Sequence, residues 1–177
     1  ITDFSPLKIY LYNEGLVRFA SEEYDHQDEN RHNIYMHLTN YSVNKKSQNF
    51  KIEEDSYEGL KWSLSQLWAY FKENGVDFGE TWKKIKDVVV KTIFMIADET
   101  NKTVKKMTKH KGTLFELYGF DIILDSNLNP TLLEVNLNPS LACESELDLR
   151  VKSSLMSDLF TLIVVVPYEH TKGLRRN

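Results

Sequence analysis

The chain has 177 residues, 41% hydrophobic and 12% aromatic, which suffices for the core of one ordinary domain and argues against a disordered segment. Its 26 acidic and 22 basic residues leave a net charge of -4, the opposite of a global nucleic-acid footprint, so any grip on a polyanion must come from a local patch. The single cysteine, Cys143, rules out an intramolecular disulfide and a thiolate-built metal centre; with neither a secretory signal in the opening Ile-Thr-Asp-Phe-Ser-Pro nor a bilayer span in the short apolar run at 159–166, the sequence reads as cytoplasmic, with no membrane partner.

Residues 8–12 and 16–20 are short apolar stretches on either side of Asn13-Glu14-Gly15, a pattern that predicts a β-hairpin. The sequence enters this stretch without a methionine, as an excerpt of a larger protein would. Residues 21–33 are polar and acidic and predict a surface loop. From about Glu58, Leu60, Leu64, Leu67, Trp68 and Phe71 recur at helical spacing, and Gly75 supplies a stop. A second helix from about Glu80 carries Trp82, Ile85, Val89, Ile93 and Ile96 on one stripe, with Lys91 a cation that can snorkel from the apolar face. A third begins near Asp148 as N-cap, with Val151, Leu155, Leu159 and Leu162 turned inward. Between the second and third helices, residues 114–140 predict two strands around a turn at 125–130. No repeat or second core is visible, so the expected fold is one α+β unit of antiparallel hairpins packed with amphipathic helices.

The last hairpin carries the chemistry. If Asp125 and Pro130 close its turn, Asp121 falls opposite Glu134, with Cβ atoms roughly 4.5–5.5 Å apart, where like charges destabilise the pair. Asn136, two residues beyond Glu134, shares its face and adds a neutral oxygen. Two carboxylates and an amide carbonyl in an otherwise apolar sheet suit a hard divalent cation, and magnesium with nucleotide phosphates is the best match. Spacing alone leaves a second reading open, in which Asp121 starts a turn and Glu134 is merely solvated on an outer face.

Four stretches, residues 10–20 (Tyr-Leu-Tyr-Asn-Glu-Gly-Leu-Val-Arg-Phe-Ala), 37–45 (His-Leu-Thr-Asn-Tyr-Ser-Val-Asn-Lys), 115–121 (Phe-Glu-Leu-Tyr-Gly-Phe-Asp) and 132–140 (Leu-Leu-Glu-Val-Asn-Leu-Asn-Pro-Ser), resemble the tubulin tyrosine ligase-like family in order and at about its spacing. The resemblance spans roughly residues 8 to 163. It implies the C-terminal part of an ATP-grasp catalytic domain, with ATP and Mg2+ as cofactors and Asp121, Glu134 and Asn136 as magnesium ligands. It makes Arg18 a catalytic arginine that holds a carboxylate or developing charge, and gives Thr39 and Asn40 hydrogen bonds to nucleotide phosphate or ribose. Without the family, Arg18 would read as a surface strand residue and Thr39-Asn40 as a turn or cap.

The motif text is closest to the glutamate-adding branch. The implied activity is an ATP-dependent protein-glutamate ligase: a γ-phosphoryl group passes to a glutamate side chain of a tubulin tail, and the amine of free glutamate displaces phosphate from the acyl phosphate. The partners would be tubulin or microtubules, and the location the microtubule cytoskeleton, including cilium or basal body. Glycine- and tyrosine-adding relatives share the metal triad, and a non-catalytic microtubule-binding fragment or an ATP-grasp ligase for a small metabolite are further alternatives. The sequence departs from the family at Thr131, where an aromatic residue is common. The N-terminal and central ATP-grasp parts, with their phosphate-binding lysines, have no counterpart in these residues.

Finally, Lys102, Lys105, Lys106, Lys109, His110 and Lys111 crowd the end of the second helix with no acid among them. Such lysines complement a helix dipole; they also form a patch that can draw an acidic tail toward the metal site.

Overall fold

The computed structural model describes residues 1–25, 27–49, 59–107 and 114–163. Strands β1 (Asp3–Phe4) and β2 (Leu7–Lys8) form a minimal antiparallel hairpin. Strand β3 (Leu16–Arg18) does not fold back on residues 8–12, as the apolar pattern predicts. It pairs antiparallel with the distant β4 (Lys61–Ser63), so that Leu16, Val17 and Arg18 face Ser63, Trp62 and Lys61.

The physical reason lies in Asn13-Glu14-Gly15, whose hydrogen bonds go elsewhere. The Gly15 carbonyl accepts from Leu64 N–H at 2.9 Å, and Glu14 Oε1 accepts from Gly15 and Ser65 N–H. The distant strand also offers Phe19 an edge-to-face contact with Trp62, ring centroids 4.7 Å apart.

The acidic stretch after β3 contains a 3-10 helix (Asp28–His32) and leads into two single-turn helices, α1 (Ile34–His37) and α2 (Tyr41–Asn44). Helix α3 (Leu64–Glu73) starts later than the apolar spacing predicts, and Leu60 lies ahead of β4. The start is set by a capping box: Ser63 Oγ accepts from Gln66 N–H, and Gln66 Oε1 accepts from Ser63 N–H. The stop falls where Gly75 predicts it. With φ of 70°, Gly75 donates to Lys72 O while Val76 donates to Phe71 O, the paired bonds of a Schellman end.

Helix α4 (Gly79–Met107) follows, then β5 (Gly119–Leu124), β6 (Pro130–Asn136) and α5 (Glu146–Leu162). The cap of α5 is Ser145, which accepts from Asp148 N–H; Asp148 is inside the first turn, not the cap itself. The core gathers Trp62, Leu67, Phe78, Val89, Ile93, Leu147 and Val151, joined by aromatic contacts from Trp62 to Tyr70 and from Phe78 to Trp68 and Phe71. Helix α4 packs against β6 and β1, and α5 against β4. The mixed α+β class is as expected. Among the described residues no helix is long and apolar enough to cross a membrane.

Candidate functional site

The β5–β6 hairpin is built from its loop upward. Asp125 Oδ1 accepts from the N–H groups of Asn127 and Asn129, and Asn129 Nδ2 donates to Asp125 Oδ2. The first turns of α4 clasp this loop: Thr81 Oγ1 donates to Leu128 O at 3.0 Å and Lys84 Nζ to Asn129 Oδ1 at 2.7 Å. The closing rung is Leu124 with Pro130, not Asp125 with Pro130, and Leu128 adopts a left-handed φ of 59°. Ladder pairing near the loop is therefore one residue out from the predicted register. A β-bulge at Leu133 then restores it, so that Asp121 faces Glu134 and Gly119 faces Asn136. The predicted rung is present, reached by two offsets that cancel.

The bulge turns both Leu133 and Glu134 to solvent. Asn136 Nδ2 lies between the carboxylates, 3.3 Å from Asp121 Oδ2 and 3.2 Å from Glu134 Oε1. Although Asp121 keeps contact with solvent, partial loss of water is the largest cause that pushes its carboxyl above the usual range. A hydrogen bond with Glu134 and the Glu134 charge push the same way, and Arg18 and Asn136 oppose them. The Arg18 guanidinium is thus electrically part of the pair's surroundings, although it sits on another strand pair and is itself exposed. Gly119 leaves room for the chain beyond β6 to fold back: a Cβ there would stand 3.0 Å from Pro139 Cβ.

Thr39 and Asn40 are exposed on the connection between α1 and α2. They are anchored through Asn44, a residue not singled out by the sequence reading. Asn44 is buried, donates to Leu38 O at 2.6 Å and to Asn40 O at 3.1 Å, and accepts from Ser21 N–H just past β3. Lys61 and Asp148 are two further residues that motif reasoning missed. Lys61 faces Arg18 across β3–β4, and its Nζ lies 2.6 Å from Asp148 Oδ2. Burial tends to raise the Asp148 carboxyl, but the Lys61 and Glu144 hydrogen bonds and the Lys61 and Lys152 charges outweigh it and hold it below the usual range.

Lys102, Lys105 and Lys106 are exposed on the last turns of α4, whereas Lys109, His110 and Lys111 lie outside the described residues. Lys91 is exposed and paired with Asp87 at 2.6 Å, an ordinary surface contact. A groove lined by Trp68, Lys72, Val76, Phe78 and Trp82 contains none of the predicted site residues.

The model of the tubulin-tyrosine ligase family matches residues 1–173. Tubulin polyglutamylase TTLL5 of Homo sapiens is 46% identical over 92% of this chain, tubulin monoglutamylase TTLL4 of Mus musculus 44% over 92%, and tubulin polyglutamylase TTLL6 of Mus musculus 42% over 92%. The matched region spans 13%, 14% and 20% of those proteins, so the chain corresponds to a small part of their length. By family match and by identity, the chain belongs to the tubulin-tyrosine ligase family.

Proposed function

We infer that this chain supplies the metal- and phosphate-facing wall of an ATP-dependent ligase that joins glutamate to side-chain carboxylates of tubulin tails through an acyl phosphate. The observation that carries this reading is the rung at which Asp121, Glu134 and Asn136 converge with Arg18 nearby. The relatives named above as glutamylases support glutamate over glycine or tyrosine as the added residue.

The donor set fits magnesium. Two carboxylates with a net negative charge and one amide form a hard, oxygen-bearing group of the size that leaves room for phosphate and water. The Asn136 amide nitrogen now donates to both acids; with its amide turned over, Oδ1 would join them as a third oxygen donor. When bound, magnesium supplies charge neutralisation at the transferring phosphoryl group. Asp121 and Glu134 would hold the metal, and Thr39 and Asn40, fixed from below by Asn44, would offer hydrogen bonds to phosphate or ribose. Arg18 would hold the acceptor carboxylate, and then the acyl phosphate formed from it, by charge-assisted hydrogen bonds while the amine attacks the carbonyl and phosphate leaves.

The test is Glu134→Gln in the full-length enzyme, which removes one charge and keeps the shape. Ligation of glutamate to tubulin should be lost while the circular dichroism spectrum and melting profile stay those of a folded protein. Normal turnover with the wild-type magnesium dependence would sink the assignment.

A further inference from the structure

Arg18 and Lys61 occupy the same rung of β3–β4. Two cations therefore stand side by side with Cβ atoms roughly 4.5–5.5 Å apart, an arrangement that by itself weakens a strand pair. Asp148 resolves the conflict. Its side chain is 2% exposed and takes the Lys61 ammonium at 2.6 Å, while Glu144 N–H and Ser145 Oγ donate to the same oxygen and Lys152 Nζ stands 3.8 Å from the other. Lys152 also donates to the carbonyl of Ala142, and Lys61 reaches Ser145 Oγ at 3.5 Å.

Ala142, Glu144, Ser145, Asp148 and Lys152 belong to the segment that leaves β6 just after Asn136 and to the start of α5. One buried charge thus ties the strand pair bearing Arg18 to the chain emerging from the hairpin that bears Glu134 and Asn136. An exposed ion pair would constrain little. A desolvated carboxylate that released Lys61 would keep only the more distant Lys152, so this contact fixes geometry.

We propose that Lys61 and Asp148 are positioning residues for Arg18. Asp148 neutralises the second cation of the rung, which keeps the Arg18 guanidinium available to an anionic partner, and it ties that rung to the chain leaving β6. The inference rests on the reading of Arg18 as the group that holds the acceptor carboxylate.

The test compares ligation with magnesium-ATP binding in the full-length enzyme. Asp148→Asn retains an acceptor for Glu144 and Ser145 and removes the charge. It should lower kcat/KM for the acceptor about tenfold and change the Kd for magnesium-ATP by less than about twofold. Lys61→Met should give the same split, and it decides the matter if Asp148→Asn does not fold. In an Arg18→Gln background, followed by end-point mass spectrometry, Asp148→Asn should add no further loss. A wild-type kcat/KM in either folded variant, a nucleotide affinity that falls in step with turnover, or an undiminished second loss in the Arg18→Gln background overturns the proposal. A wild-type enzyme without ligase activity would sink the functional reading itself, whereas an active enzyme indifferent to both variants sinks only this inference.

Discussion

Partial burial of Asp121, reinforced by Glu134 across the rung, gives the site a pH signature. Because the Asp121 carboxyl is raised in the folded protein, first by partial burial and then by Glu134, its ionisation disfavours the fold. The penalty is fully present above the raised value and disappears as pH falls through it. Asp148 has the opposite sign: its carboxyl is held low, so its contribution is present above the ordinary carboxylate range and lost as pH falls through the lowered value. Asp121→Asn should therefore raise the melting temperature of the metal-free protein at neutral pH and abolish the further rise that magnesium brings to the wild type, both read by thermal scans with and without the ion. Arg18→Lys keeps the charge near Asp121 but not the planar fork, and we expect at least a ~100-fold loss in kcat/KM for the acceptor with little change in melting temperature. Near-wild-type kinetics in that variant would return Arg18 to an ordinary strand position.

At the scale of elements, the hairpin depends on the contact between its first strand and the chain that follows its second. A Cβ at Gly119 would meet Pro139 at 3.0 Å and Asn136 Cβ at 3.5 Å. Gly119→Ala should push Pro139 away and tilt Asn136, which lowers magnesium affinity about tenfold while the melting temperature falls by only a few degrees. Titration of magnesium against nucleotide-bound enzyme checks this. The helices were legible in the sequence because α3, α4 and α5 each carry a long apolar stripe, and the Gly75 stop carries its own geometry. The starts of α3 and α5 were not, because the apolar stripe of α3 begins ahead of its helix and that of α5 begins after its helix has started; the signals that set them, Ser63-x-x-Gln66 and Ser145-x-x-Asp148, are short polar patterns that spacing alone passes over. The turn was legible in place and the carboxylate rung in register, although the closing pair was one residue out, since a longer loop and the Leu133 bulge offset each other. The pairing of β3 with β4 had no local signal at all: nothing near Arg18 announces Lys61, and contacts between such distant residues are decided by packing such as Phe19 on Trp62.

These 177 residues carry a net charge of -4, an electrostatic difficulty for this part of the molecule if the acceptor is an acidic tail. The exposed lysines at the end of α4 offer a local remedy. Lys105→Glu with Lys106→Glu should raise KM for tubulin about threefold or more and flatten its salt dependence, with magnesium-ATP binding unchanged. An unaltered KM and salt slope would leave these lysines as a solvated helix end.

Helix α4 also works as a ruler. Its first turns grip the 125–129 loop through Thr81 and Lys84, and its axis rises about 36 Å from Thr81 to Lys105 at 1.5 Å per residue. Strand β5 climbs only about 10 Å from that loop to Asp121, so more than ~20 Å separate the lysines from the carboxylate rung. An extended peptide covers that gap with about six residues or more. The glutamate being modified and the residues felt by the patch must then be different positions on one tail. Acceptor peptides shorter than the gap should be modified at the same rate with or without the lysine reversals, and the benefit of the patch should set in only as the peptide grows long enough to reach both ends of the helix.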